Sequence, residues 1–301
     1  MLAERMTMDT DVEDFVALLG VKGGPAVNPG GSMPTSTLIH LDGRNIVVDC
    51  GYGCVAGIVR QGVHLRDLSL IFITHLHSDH YLDLGPLLHT AWTAGLKSRV
   101  RVFGPADLSA YWSHFLQSMR YDIETRMADE GRPDLGELVE IVPVTDGFSF
   151  EEMGLRVTLH RVSHPPVVDA FAYKFEAAGR SIVISGDTCF QPTLSNFAGG
   201  ADLLVHEAML AEGVDRLVAR VGNGDDRLRR HLHASHTRVE DAGRIAAMAG
   251  VRALALNHLV PVDDPEISDE DWIMAARVTW DGPLFLGKDG MRIKMKRKEA
   301  R

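Results

Sequence analysis

Seven consecutive residues, Thr74-His75-Leu76-His77-Ser78-Asp79-His80, concentrate the chemistry of this chain. Three imidazoles and one carboxylate fall within six positions, after an apolar run from Leu68 to Ile73 that reads as a buried strand. The cluster therefore sits where a strand gives way to a loop or helix. Neutral imidazole and carboxylate together suit zinc, and manganese or iron accepts them too. In extended backbone, residues i and i+2 point to the same side, so His75 and His77 can reach one ion. Asp79 and His80 follow a turn at Ser78 and can aim at a second point. Four such ligands crowd a single ion but suit two ions that residues from elsewhere complete.

Three later positions offer that completion. His164 follows the alternating strand Leu155 to His160, Asp187 follows the apolar run Ser181 to Ile184, and His258 ends the run Ala253 to Asn257. Singly, each reads as a cap or turn residue. Jointly with the first cluster they gather five imidazoles and two aspartates at strand termini, as a site on one sheet edge requires.

These residues, in this order, resemble the metallo-β-lactamase superfamily. The resemblance runs from the strand around Val16–Gly20 to the one around Met291–Lys294. It implies an α/β (α+β) fold, a four-layer αββα metallo-β-lactamase sandwich, in a single hydrolase domain over residues 1–301. It further implies that one ion takes His75, His77 and His164, that the other takes Asp79, His80 and His258, and that Asp187 bridges both. An aspartate rather than a cysteine at 187 favours the dinuclear hydrolases over the lactamases proper; Cys189, two residues on, does not match that ligand position. Leu203-Leu204-Val205-His206-Glu207-Ala208 resembles the H-E-A-T element of the branch that contains ribonuclease Z and the zinc arylsulfatases, and Ser235-His236-Thr237 resembles its H-S-T element. Carried over, Glu207 orients His236, His236 is the general-acid candidate, and Asp79 joins them in the catalytic set. His231 and His233 lie close enough to compete for the acid role. Asp49 can accept a hydrogen bond from a ligand histidine or serve a turn. The cofactors expected are two divalent ions, Zn2+ first and Mn2+ or Fe next, with a metal-bridging hydroxide as nucleophile.

The elements that must position this site are also readable. Thr37–Leu41 and Asn45–Asp49 form a hairpin about Asp42-Gly43. A helix runs from about Leu82 through Trp92, a short strand covers Arg99 to Phe103, and a helical pattern extends from Ala106 to about Met127, with Tyr111, Trp112, Phe115 and Met119 as its apolar stripe. Leu210–Val221 and Val239–Ala249 are further helices, the second stopped by Gly250. Met33, Trp92, Pro165, Phe190 and the stretch Leu210–Asn223 are expected to line the pocket.

Composition bounds the rest. With 301 residues, 45% of them hydrophobic, the chain can bury a large core. No linker, low-complexity block or repeat stands out. The formal charge of −10 argues against a long nucleic-acid partner; the dense basic runs Arg227–Arg230 and Lys294–Lys298 read as a solvated helix face and a tail. Ribonuclease Z carries a tRNA-gripping arm between the ligands matching His164 and Asp187, and the 22 residues between those positions leave no room for one. The expectation is thus a hydrolase of a small-molecule ester (arylsulfatase-like, phosphodiester, carboxylic ester or lactone), with nucleic acid not expected. The alternative is a ribonuclease Z-like tRNA 3′ endonuclease, and a diiron redox protein stands third. A homodimer is implied by the resemblance. No signal peptide or bilayer-spanning run is readable, and Cys50, Cys54 and Cys189 make no disulfide framework, so a cytoplasmic location is expected.

Overall fold

A computed structural model describes residues 13–222 and 224–295. Two seven-stranded sheets form its centre. The first contains β1 (Phe15–Gly20), β2 (Ser36–Leu41), β3 (Arg44–Cys50), β4 (Leu70–Phe72), β5 (Val100–Gly104) and β6 (Val139–Pro143), with β14 (Met291–Lys294) beside β1. The second contains β7 (Ser149–Glu152), β8 (Leu155–Arg161), β9 (Phe171–Ala177), β10 (Arg180–Ile184), β11 (Leu203–Met209), β12 (Leu254–Val260) and β13 (Leu284–Leu286), in sequence order. Each sheet begins antiparallel and turns parallel, at β3–β4 in the first and at β10–β11 in the second. The helices are α1 (Cys54–Arg60), α2 (Ser78–Tyr81), α3 (Leu84–Thr93), α4 (Leu108–Ser118), α5 (Arg120–Glu130), α6 (Leu135–Leu138), α7 (Thr193–Phe197), α8 (Val214–Val221), α9 (Arg227–Ser235), α10 (Val239–Ala249) and α11 (Asp269–Arg277).

The period of two in the strands decides the layering. On β1, Val16 and Leu18 face the second sheet and join Phe72, Tyr173, Phe175 and Ile182 in one core. Phe15, Ala17 and Leu19 face the other way and join Ile58 of α1 and Leu87 and Leu88 of α3 in another. Strands covered on both faces lose their polar alternation, and all six residues of β1 are buried. Helix α10 covers the far side of the second sheet, with Ile245 and Ala246 buried. The result is the expected four-layer αββα sandwich.

The hairpin about Asp42-Gly43 is present, with Gly250 closing α10 at φ +60°. Two elements differ. The helix expected over Leu210–Val221 starts as a 3-10 turn at Ala211–Gly213 and becomes α8 only at Val214. The helical pattern over Ala106 to Met127 breaks into α4 and α5 at Met119. Ser118 Oγ donates to the Phe115 carbonyl at 2.7 Å, a local alternative to the helical ladder that favours an end there. The stripe is core: Trp112 is buried, and Tyr111, Phe115 and Met119 pack on the cluster under the first sheet.

A candidate dinuclear metal centre

Strand β4 ends at Phe72, and the chain stays extended through His77, which has φ −82° and ψ 143°. Helix α2 then starts at Ser78, so Asp79 and His80 leave in a new direction. This switch from extended to helical backbone splits the ligand run. Ligand atoms of His75, His77, His164 and Asp187 lie within 4.8 Å of one another, as do those of Asp79, His80 and His258. Asp187 lies between the groups: Oδ2 is 3.1 Å from His258 Nε2 and 3.8 Å from both His75 Nε2 and His164 Nε2, while Oδ1 is 3.5 Å from His80 Nε2. The turn that delivers Asp187 passes through Gly186 at φ +59°, where a Cβ would stand 2.7 Å from the Phe171 carbonyl oxygen.

Two residues reach the centre through β-bulges. Register slips between Glu207 and Ala208 of β11, whose partners in β12 are Asn257 and Leu259. His258 is the extra residue, at φ +43°. It therefore sits inside β12 rather than at a strand end, and the bulge re-aims its ring. Likewise Ser36 pairs with Cys50 and Thr37 with Val48, leaving Asp49 extra at φ +60°. Asp49 is not a turn residue. Its Oδ2 is 2.8 Å from His80 Nδ1, and its carboxylate accepts from Thr74 N at 2.8 Å and Thr74 Oγ1 at 2.9 Å.

The residues fit divalent ions. His75 Nε2, His80 Nε2 and Asp187 Oδ1 are buried without a hydrogen-bond partner, a costly state unless something else takes their lone pairs. The opposite ring nitrogens of two histidines are engaged, His80 Nδ1 by Asp49 and His164 Nδ1 by the Ser235 carbonyl at 2.9 Å, which turns each Nε2 inward. The field favours cations. Burial lowers His80, but Asp187, Asp49 and Asp79 outweigh it and raise the ring well above its ordinary value. Burial would raise Asp79, but His80 and His258 hold its carboxyl well below the usual carboxylate range. Burial pushes His164 down to about 4, the neutral form a ligand needs.

Beside this centre, Glu207 Oε1 and Oε2 each lie 3.1 Å from His236 Nδ1, and Thr188 N donates to Oε1 at 2.7 Å. Burial lowers His236, but the charge and hydrogen bond of Glu207, then Asp187 and Asp79, raise it to about 9. His231 lines the cleft, whereas His233 is exposed.

The cleft over the centre has a volume of about 850 Å³. Its walls are the 22–31 segment, α8, α9 and residues 260–263. Within the stretch expected to line it, Leu217, Arg220 and Val221 do so; Asn223 lies outside the described residues. Trp92 does not: it is fully buried in the helical layer and donates from Nε1 to the Pro133 carbonyl. Met33, Pro165 and Phe190 are not among the lining residues either. Sequence reasoning missed the 22–31 segment, where Gly24 N donates to Asp79 Oδ2 at 2.8 Å; its signal was the glycine and proline density of Gly23-Gly24-Pro25 and Pro29-Gly30-Gly31.

A family model described as Anti-Pycsar protein Apyc1 matches residues 17–238. A Mycobacterium sp. (strain KMS) protein named Ribonuclease Z is 32% identical over 284 residues, which span 93% of this chain and 95% of that protein. A Mycolicibacterium gilvum protein of the same name is 30% identical over 284 residues, 93% of this chain and 96% of the relative. Among solved structures, the Bacillus subtilis metallo-β-lactamase fold protein YhfI matches with a TM-score of 0.69 at 20% identity, covering 94% of this chain and 99% of that one. The short form of human tRNase Z matches with a TM-score of 0.65 at 19% identity, covering 94% and 100%. The chain belongs to the Anti-Pycsar protein Apyc1 family, within the ribonuclease Z-like branch of the metallo-β-lactamase superfamily. It is a metal-dependent hydrolase with a dinuclear metal-binding centre.

The relatives overturn two expectations. A small-molecule ester hydrolase of arylsulfatase type, with nucleic acid not expected as partner, does not agree with relatives named Ribonuclease Z along nearly their whole length. Neither argument for it outweighs that likeness. The short spacing between His164 and Asp187 is one local feature, set against 30–32% identity over 93% of the chain. The net charge of −10 is a property of the whole surface, whereas a phosphate in the cleft would meet the divalent ions that this donor set fits. Among the described residues, no helix is long and apolar enough to cross a membrane.

Proposed function

We propose that this protein is a phosphodiester hydrolase acting on RNA, a ribonuclease Z-like tRNA 3′ endonuclease. The observation that carries the reading is the 30–32% identity to proteins named Ribonuclease Z over 93% of the chain. On this reading His75, His77 and His164 would hold one ion and Asp79, His80 and His258 the other, with Asp187 within reach of both groups. The donor set favours Zn2+, and a solved neighbour described as Zn(2+)-bound PqqB supports that preference. Two divalent ions held there would supply Lewis acidity and activation of water. The chain's own residues do the rest. Glu207 holds the Nδ1 side of His236, which leaves Nε2 facing the cleft. As the P–O3′ bond breaks, His236 donates its proton to the leaving ribose oxygen, worth about 10²–10⁴-fold. The charge and hydrogen bond of Glu207 favour the protonated ring. Residues 1–301 act on this reading as one hydrolase domain, working in the cytoplasm where precursor tRNA is made; the family resemblance supports a homodimer.

The test is incubation of the zinc- or manganese-loaded protein with a precursor tRNA carrying a 3′ trailer. Release of the trailer at the mature 3′ end is expected, with binding that weakens steeply as salt rises. An intact precursor under every metal condition would refute the reading. The matched family's description, an anti-Pycsar protein, favours a second reading in which the same centre acts against Pycsar. Activity against Pycsar in cells that carry it, with no trailer cleavage, would select that reading.

A further inference from the structure

Two permanent cations, Lys22 and Arg220, are found among the described residues that line the cleft, and neither belongs to the metal centre or to the His236–Glu207 pair. Lys22 comes from the segment after β1 and Arg220 from α8, so they approach from different walls. Lys22 is 8% exposed, a degree of burial rare for lysine. Its backbone is bridged to Leu259, the residue after His258, and two residues further on Gly24 N donates to Asp79 Oδ2. The backbone that carries Lys22 is thus tied to the metal centre, and its side chain lines the same cleft.

Both cations are held loosely by acids that have better partners. Lys22 Nζ is 3.5 Å from Asp263 Oδ2, while the same carboxylate accepts from Ser32 N and Ser32 Oγ at 2.9 Å each. Arg220 Nη1 is 3.7 Å from Asp264 Oδ2, which Arg216 Nε approaches to 3.0 Å. Asp264 Oδ1 also accepts from Glu266 N at 3.0 Å. Asp263 and Asp264 therefore keep their hydrogen bonds when the two cations turn to another anion. Burying a lysine beside a cleft costs free energy; a polyanionic ligand would repay it, because phosphate accepts from both ammonium and guanidinium groups.

We propose that Lys22 and Arg220 form a subsite for a second phosphate, one that flanks the scissile diester, so that the cleft selects a strand over an isolated ester. The proposal rests on the phosphodiesterase reading above and adds residues that set specificity.

The experiment compares binding of a nucleoside 3′,5′-bisphosphate and the matching 5′-monophosphate to the metal-loaded protein by calorimetry. One phosphate of either ligand can occupy the metal centre, and only the bisphosphate reaches the subsite. The bisphosphate should bind at least tenfold more tightly. Lys22→Met and Arg220→Ala should each bring the ratio of the two Kd values toward one, whereas Lys22→Arg, which keeps both the charge and the tie to Asp263, should retain it. Circular dichroism and metal content check that each variant is folded and loaded; should Lys22→Met fail there, Arg220→Ala and Lys22→Arg still decide. Equal affinities in the unaltered protein, or a ratio that survives both charge-removing variants, would overturn the subsite. Because no cleavage is needed, the two readings separate. A bisphosphate advantage with an uncut precursor tRNA keeps the subsite and sinks the endonuclease; a cut precursor with no advantage does the reverse.

Discussion

Both carboxylate oxygens of Glu207 lie 3.1 Å from one atom, Nδ1 of His236. A symmetric approach of this kind fixes the ring plane and commits its proton. Replacing His236 by Ala should lower turnover about 10²–10⁴-fold while leaving bound metal unchanged. The isosteric change Glu207→Gln should cost less, and the double variant should resemble His236→Ala, since the two act as one unit. Steady-state kinetics with elemental analysis of the same samples checks this; additive losses would show that the pair does not work together.

Asp187 stands between both ligand groups, and His258 approaches it to 3.1 Å. Asp187→Ala should therefore weaken both ions and leave less than one per chain after gel filtration. His258→Ala removes a ligand from one group and should leave close to one. Identical metal contents for the two variants would contradict the bridging position.

Gly23 presses on the His258 ring: a Cβ there would stand 2.9 Å from Cε1 and Nδ1 and would also strike the Val260 side chain. Gly23→Ala should displace the ring, weaken metal retention and lower activity at least tenfold, with modest change in overall stability. Chelator competition of the loaded protein reads the effect directly. Unaltered metal affinity would mean that the 22–31 segment yields and the ring does not.

His206 is fully buried, with Nδ1 2.7 Å from the Glu207 carbonyl and Nε2 without a partner. Burial pushes its pKa down to about 4, against about 6.5 in an unfolded chain. Between these values the unfolded chain binds a proton that the folded chain refuses, so stability falls as pH drops from about 6.5 toward about 4. At about 1.4 kcal/mol per pKa unit, the loss reaches on the order of 3 kcal/mol. His206→Gln should flatten that decline in urea unfolding curves at pH 7 and pH 4.5; an equally steep decline would place the acid sensitivity elsewhere.

Much of the site could be read before any coordinates because its ligands are chemically distinctive and locally clustered. Thr74 to His80 put four of them in one run, and the extended-to-helical switch at Ser78 divides them as the spacing suggested. His164 and Asp187 follow strands, as expected. His258 and Asp49 were visible as residue types, but the bulges that aim them depend on how two strands pair, and a single strand does not encode that. The cleft walls were mostly illegible. They come from remote segments made of ordinary residues, such as Leu217 of α8 and Val262 beyond β12. Trp92 was misplaced because its side of α3 is set by tertiary packing. The preference for a small ester came from the short His164–Asp187 spacing and a whole-chain charge, and neither reports the field inside one cleft.

The two supernumerary residues have a consequence for how this architecture can change. Asp49 and His258 each occupy a place that the pairing on either side does not require. Excising one of them would let its strand zip continuously against its neighbour, with the hydrophobic alternation undisturbed. A well-folded but chemically silent descendant is thus one codon deletion away, while regaining activity demands an insertion at the same spot.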